Sequence, residues 1–288
     1  MSEDKPITEW IRHRYSVRNF QKKPIDTTIQ NQLKEKLEGI KTGPLGTALR
    51  ITLIAANPDD SQALKGLGTY GTMRDPAGFL VGAAQNSETD LEDFGYAMEE
   101  AILMATGLGL GTCWLGGIFT RSSFAGRIEK QENEILPAVA PIGYAVDPCN
   151  PDGTAKTVNA NRRKDWKDLF YQDRFNQPLS REAAKSYQEP LEMVRLAPSA
   201  TNQQPWRIIK VGQHWHFYCR RTPGYGKDAL LFKLAKIADL QRLDIGIGMC
   251  HFELTAKQNG LSGRWLVNDP GLEINDKQTL YISTWEEQ

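Results

Sequence analysis

Two short segments carry most of the polar chemistry in this chain of 288 residues. The first is Arg14-Tyr15-Ser16-Val17-Arg18-Asn19-Phe20. Alternate residues of an extended segment point the same way, so two guanidinium groups and a hydroxyl can converge there on one anion. Arginine suits that task because its planar fork matches a phosphate or carboxylate. Taken alone, these residues read more readily as a solvated basic surface at a helix end, and so does the later pair Arg162-Arg163. The second segment runs Ala197-Pro198-Ser199-Ala200-Thr201-Asn202-Gln203-Gln204-Pro205-Trp206-Arg207. Two prolines stiffen it, while Ser199 and Asn202 offer short-range donors and acceptors. A helix-to-strand turn would need fewer polar residues, so a binding loop and a plain capped turn both stand as readings.

Three other constellations are weaker. Gly107-x-Gly109-x-Gly111 follows a helical stretch instead of opening one after a strand, and its spacing is not that of a dinucleotide fingerprint. His214-x-His216 places two imidazoles on one strand face, but no carboxylate or cysteine lies at metal-ligand spacing. Cys113 has no identifiable histidine partner and reads as core, not as a nucleophile. We expect no metal site and no catalytic acid–base pair.

The elements that must position these segments can be read from periodicity. Ile7 to Arg14 reads as a short helix, and Asp26-Thr27-Thr28 as the cap of a second running to about Glu38. Strands are expected over Arg50–Ala56, Phe79–Ala84, Leu136–Val146, Trp206–Val211, His214–Cys219 and Thr279–Trp285. Two helices, near Phe94–Leu108 and Leu240–Asn259, are apolar nearly all round. They should be buried centrally, the first ended by Gly109 and Gly111. Pro148–Lys156 reads as a polar loop, and Asn161 opens the basic patch before Trp166–Tyr171. No regular βαβ rhythm is present, so the fold class expected is α+β with a mixed, mainly antiparallel sheet.

Those two helices are related by an internal repeat. Asp93-Phe94-Gly95-Tyr96-Ala97-Met98 recurs as Asp244-Ile245-Gly246-Ile247-Gly248-Met249, and the same offset aligns Leu103, Ala105, Gly109, Leu110 and Trp114 with Leu254, Ala256, Gly260, Leu261 and Trp265. That is eight identities in 22 positions without a gap. Upstream, Pro24, Gly43-Pro44 and the strand from Arg50 parallel Pro178, Ala197-Pro198 and the strand from Trp206. A period near half the chain is too long for a solenoid and reads as a duplication. The expected halves are residues 1–172 and 173–288, joined in one compact unit that behaves as a monomer imitating a dimer.

Bulk composition narrows the function classes. With 40% hydrophobic and 24% charged residues, the chain has an ordinary globular balance. Its 35 basic and 35 acidic residues leave no electrostatic footprint for nucleic acid or an anionic membrane. No apolar run reaches membrane-span length, and the first residues lack the apolar region of a secretory signal. Cys113, Cys149, Cys219 and Cys250 are scattered, as reduced thiols in a cytoplasmic protein would be.

Taken together, the two polar segments resemble the cofactor-contacting loops of nitroreductase-like flavoproteins, and the chain is most similar to members with two half-subunits fused in one polypeptide. The resemblance implies the nitroreductase-like fold, with FMN as cofactor. It assigns Arg14, Tyr15, Ser16 and Arg18 to the phosphate and ribityl region, with Arg162 or Arg163 as a second basic contact. Pro198, Ser199, Ala200 and Asn202 would approach the flavin from the other half. Gly116 and Gly117, in Gly109-Leu110-Gly111-Thr112-Cys113-Trp114-Leu115-Gly116-Gly117, would let backbone approach the ring. The implied activity is electron transfer from NADH or NADPH to a small acceptor such as a nitroaromatic or quinone. Two departures matter. The first half has only Gly43–Thr47 where a Pro-Ser-x-x-Asn loop belongs, and the second has Asp173-Arg174-Phe175-Asn176 where Arg-x-Ser-x-Arg belongs. One site per chain is expected, and a non-catalytic flavin- or ligand-binding descendant is the competing reading.

Overall fold

The computed structural model describes residues 5–56, 62–146, 162–223, 237–274 and 276–288. The polar loop at 148–156, Cys149 and Asn161 lie outside the described residues. The chain opens with α1 (Ile7–His13) and α2 (Thr27–Glu38), followed by β1 (Leu49–Ala55) and β2 (Gly78–Gln85). Next come α3 (Asp90–Gly107), β3 (Gly111–Thr112), α4 (Arg121–Arg127), β4 (Glu134–Ile135) and β5 (Val139–Gly143). After these follow β6 (Phe170–Gln172), α5 (Arg181–Ala184), α6 (Gln188–Leu196), β7 (Trp206–Val211) and β8 (His214–Arg220). The last elements are α7 (Leu240–Gln258), β9 (Gly263–Leu266) and β10 (Thr279–Glu287).

The strands form two five-stranded sheets instead of one. The first has the order β1-β2-β5-β3 with β4 also beside β2, all antiparallel. The second runs β6-β7-β8-β10-β9, and only β6–β7 is parallel. The architecture is α+β, as expected. Strand 136–146 is shorter than expected: only Val139–Gly143 joins the ladder, since Pro137 before it has no N–H to donate. Beyond Gly143 the chain turns to the N-terminal segment, with Ala145 bridging Phe20. Asp26 precedes α2 but does not cap it; its carboxylate accepts from the Tyr144 hydroxyl at 2.7 Å instead.

Between the sheets lie α3 and α7, each buried on nearly every side. Their ends explain the repeat. Gly109 (φ 80°) and Gly260 (φ 73°) take the left-handed conformation that closes each helix. Leu110 N donates to Ala105 O and Leu261 N to Ala256 O, both at 2.9 Å, the six-to-one bond of a Schellman cap. Trp114 then donates to Glu99 at 2.6 Å, and Trp265 to Glu253 at 2.7 Å.

The helices cross at small residues, and the crossing is reciprocal. A Cβ on Gly95 would lie 2.3 Å from the Leu243 carbonyl oxygen, and one on Gly246 would lie 2.0 Å from that of Glu92. Glu92 and Leu243 are separated by the same 151 residues as Gly95 and Gly246, so each helix makes the same close approach to the other.

Candidate functional site

After α1 the backbone turns extended at Arg14 (φ −62°, ψ 128°) and runs beside β3. Ser16 bridges to Thr112, and Val17 N donates to Thr112 O at 2.8 Å. Val17 is buried in the space left by the missing side chain of Gly111. Alternation then turns Arg14, Ser16 and Arg18 the other way, and all three act on the Cys113 thiol. Burial raises that thiol's pKa, while the charge of Arg18, its hydrogen bond, that of Ser16 and the charge of Arg14 oppose the rise. Tyr15 lines a cavity of about 290 Å³ together with His13, Arg14, Val17, Thr106 and Gly109.

The Pro-Ser-x-x-Asn segment is held in an uncommon conformation. Thr201 (φ 49°), Asn202 (φ 57°) and Gln204 (φ 49°) are all left-handed without being glycine. Each such residue costs about 1–2 kcal/mol, and the surroundings must over-determine it. They do so from three sides. Gln204 N donates to Ser199 Oγ at 2.9 Å, and Ala200 N donates to the buried Asp244 at 2.9 Å. From the third side, residues 162–164 clamp the segment. Arg163 donates to Asn202 Oδ1 and, at 3.0 Å, to Leu196 O. Asn202 Nδ2 donates to Arg162 O at 2.8 Å, and Lys164 Nζ to Gln203 O at 2.7 Å.

These two assemblies meet at their cations. The Arg163 pKa is lowered to about 10, first by burial and next by the charge of Arg14. Lys164 is lowered to about 8 by burial and then by Arg207 and Arg220. Arg14 Nε and Arg18 Nε are buried without a hydrogen-bond partner, as is Thr112 Oγ1. Arg14 Nε faces Glu99 at 3.7 Å. It is therefore the rest of the clustered guanidinium groups, with Arg18 Nε, that suits an anion, whose charge and oxygens would answer their charge and nitrogens.

A model of the family described as "Putative TM nitroreductase" matches residues 6–256. The chain belongs to this family. A crystal structure described as a putative nitroreductase from Thermotoga maritima is 18% identical, with a TM-score of 0.59 over 98% of this chain and 93% of that one. Two smaller structures were also matched, each with a TM-score of 0.42. One, described as a putative NADH dehydrogenase/NAD(P)H nitroreductase from Bacteroides thetaiotaomicron, is 18% identical over 59% of this chain and 97% of that one. The other, described as a putative nitroreductase in complex with FMN from Exiguobacterium sibiricum, is 14% identical over 53% and 93%. A search of the curated proteins found no match.

In this nitroreductase-family chain Arg14, Ser16, Arg18, Arg163 and Asn202 are gathered as described. Arg162 is exposed and enters through its carbonyl oxygen. Pro198, Ser199 and Ala200 form the entry to the strained loop. Gly116 and Gly117 make a close approach, but to Leu240 and Ile237 of the chain itself. Across the molecule, Gly43–Thr47 is folded onto Asp93, which accepts from Leu45 N at 2.7 Å and Thr47 N at 2.8 Å. The sequence places Lys164 in the basic patch 161–164 and Gln204 in the polar segment but assigns neither a role, and it does not show the contact of Glu99 with His251. Glu99 left one signal, a charge inside an apolar helix. His251 left none, since its partner lies on another helix.

Among the described residues no helix is long and apolar enough to cross a membrane, and no group of three metal-ligating side chains occurs.

Proposed function

We propose that the chain is an FMN-dependent oxidoreductase that takes hydride from NADH or NADPH and passes electrons to a small acceptor such as a nitroaromatic or quinone. The observation that carries this is the electrostatic influence of Arg14 on Arg163, both only partly exposed, where Arg163 clamps the strained loop at Ser199–Gln204. The residues fit the cofactor. Arg14 and Arg163 would hold the phosphate, Ser16 and Arg18 would follow along the ribityl chain, and Pro198–Asn202 would close the site from the second half. FMN supplies the redox chemistry when bound; the chain binds it, orients it and places positive charge beside it. No protein acid–base dyad is required.

Each arginine would make charge-assisted bonds to the phosphate, so Arg14→Ala or Arg163→Ala should weaken FMN by about 1.5–3 kcal/mol. Quenching of flavin fluorescence measures this, and wild-type affinity in both variants removes the assignment. Anaerobic addition of NADH or NADPH should bleach the bound flavin, and an added quinone should restore its colour.

One observation favours a second reading, a flavin-binding protein without turnover. Leu240 and Ile237 lie against Gly116 and Gly117, where a ring was expected. Protein that holds FMN and is bleached by neither nucleotide supports that alternative.

A further inference from the structure

Glu99 is a fully buried carboxylate on α3, and His251 a fully buried imidazole on α7. Their contact is 3.0 Å, from His251 Nε2 to Glu99 Oε1. On its other side, His251 Nδ1 lies 2.9 Å from the Met193 carbonyl oxygen, near the end of α6. A carbonyl oxygen can only accept, so Nδ1 carries a hydrogen. The contact between Nε2 and Oε1 then needs a second proton, on one atom or the other. Whichever holds it, the Glu99–His251 pair is neutral overall.

Two further groups reach the same carboxylate. Trp114 Nε1 donates to Oε2 at 2.6 Å. Arg14 Nε lies 3.7 Å from Oε1, with its side chain only 7% exposed and no hydrogen-bond partner at that nitrogen. Glu99 is therefore pinned by an indole and an imidazole and presents its edge to the inner side of Arg14. α6, which carries Met193, leads directly into the Pro198–Asn202 loop.

We propose that Glu99 and His251 are positioning residues. The second half of the chain, through Met193 and His251, fixes Glu99, and Glu99 sets the direction of the Arg14 guanidinium toward its anion. This rests on the reading of Arg14 as a phosphate contact. A guanidinium at the end of three methylenes has many rotamers, and a buried carboxylate facing Nε at ion-pair distance favours those that keep it there before the ligand arrives.

The discriminating variant is Glu99→Gln. Its amide can donate to a neutral His251 Nε2 and accept from Trp114, so both bonds and the neutrality of the pair survive. Only the hold on Arg14 is lost. The dissociation constant for FMN should rise about tenfold, as for one weakened charge-assisted contact. That for riboflavin, which has no phosphate, should stay unchanged, and so should the melting temperature. A second readout uses the ligand-free protein. The Arg14 Nε–H resonance should be sharp in the wild type and exchange-broadened in E99Q. Wild-type FMN affinity together with an unchanged resonance overturns the proposal, and so does an equal loss for FMN and riboflavin. If the wild type binds no FMN, the flavin reading fails, and the resonance alone decides the role of the pair. Should E99Q not fold, Glu99→Asp retracts the carboxylate by one methylene and should give the same split between FMN and riboflavin.

Discussion

Asp93 and Asp244 occupy equivalent places in the repeat and do different work. Both oxygens of Asp93 accept backbone N–H bonds, from Leu45 and Thr47. Asp244 accepts one, from Ala200, and its Oδ2 is buried without a partner. An amide in place of Asp93 would turn an NH₂ toward a backbone N–H, so D93N should cost about 1–3 kcal/mol in urea unfolding. D244N should be as stable as the wild type or more so at neutral pH, because its oxygen still serves Ala200. Burial raises the Asp244 pKa well above its ordinary value. Above pH 3.8 the folded state then holds a proton that the unfolded state has released, so stability declines as pH rises; D244N should remove that decline. Lys164 works in the opposite direction. Its pKa falls from 10.5 to about 8 on folding, so between those values the unfolded chain binds the extra proton and stability should rise with pH. K164Q should lack that rise, and equal slopes in the two proteins would refute the assignment. At this scale the alternation of Arg14, Ser16 and Arg18 was legible, because extended backbone is a local property. The contact of Glu99 with His251 was not, since it depends on how two distant helices cross.

Among the elements, the α3–α7 crossing makes the strongest demand on residue size. Alanine at Gly246 would place Cβ 2.0 Å from a carbonyl oxygen, so the helices must separate. G246A should cost about 3 kcal/mol or more, at the upper end for overpacked cores. Gly248, two residues on, is the control. Its added Cβ would meet Val194 at 3.6 Å, an ordinary contact, and G248A should be neutral or gain up to about 1 kcal/mol of helix propensity. Equal losses in both variants would mean that the crossing is not what excludes the side chain. Helices announced themselves in the sequence more clearly than sheets did. The apolar periodicity of α3 and α7 and the glycines that cap them are local signals. The two-residue β3 and the four-residue β9 have no period to read, and their strand identity comes from neighbours far along the chain. The strained loop was legible as polar and proline-bounded, but its three left-handed residues are set by Asp244 and the 162–164 clamp.

At the scale of the molecule, we propose that the chain carries one flavin and acts as a monomer. Gly43–Thr47, where a second site would lie, is folded back onto Asp93. Light scattering combined with flavin released on denaturation should give one FMN per chain of 32.4 kDa, and two per chain would contradict it. The internal repeat was legible because the cap and crossing residues recur with their spacing intact. The division of strands between two sheets was not, since nothing local tells β5 which neighbours to take. One asymmetry at the crossing has a consequence during synthesis. Glu92, only 2% exposed, is gripped by Arg242 at 2.5 Å, whereas the equivalent positions on the other edge are Leu243 and Leu91. Two copies of the first half meeting in the same way would each bury Glu92 against leucine, with no cation to answer it. Neighbouring chains on one messenger expose that half before their own second half exists. Pairing between two first halves would therefore be disfavoured relative to pairing within one chain.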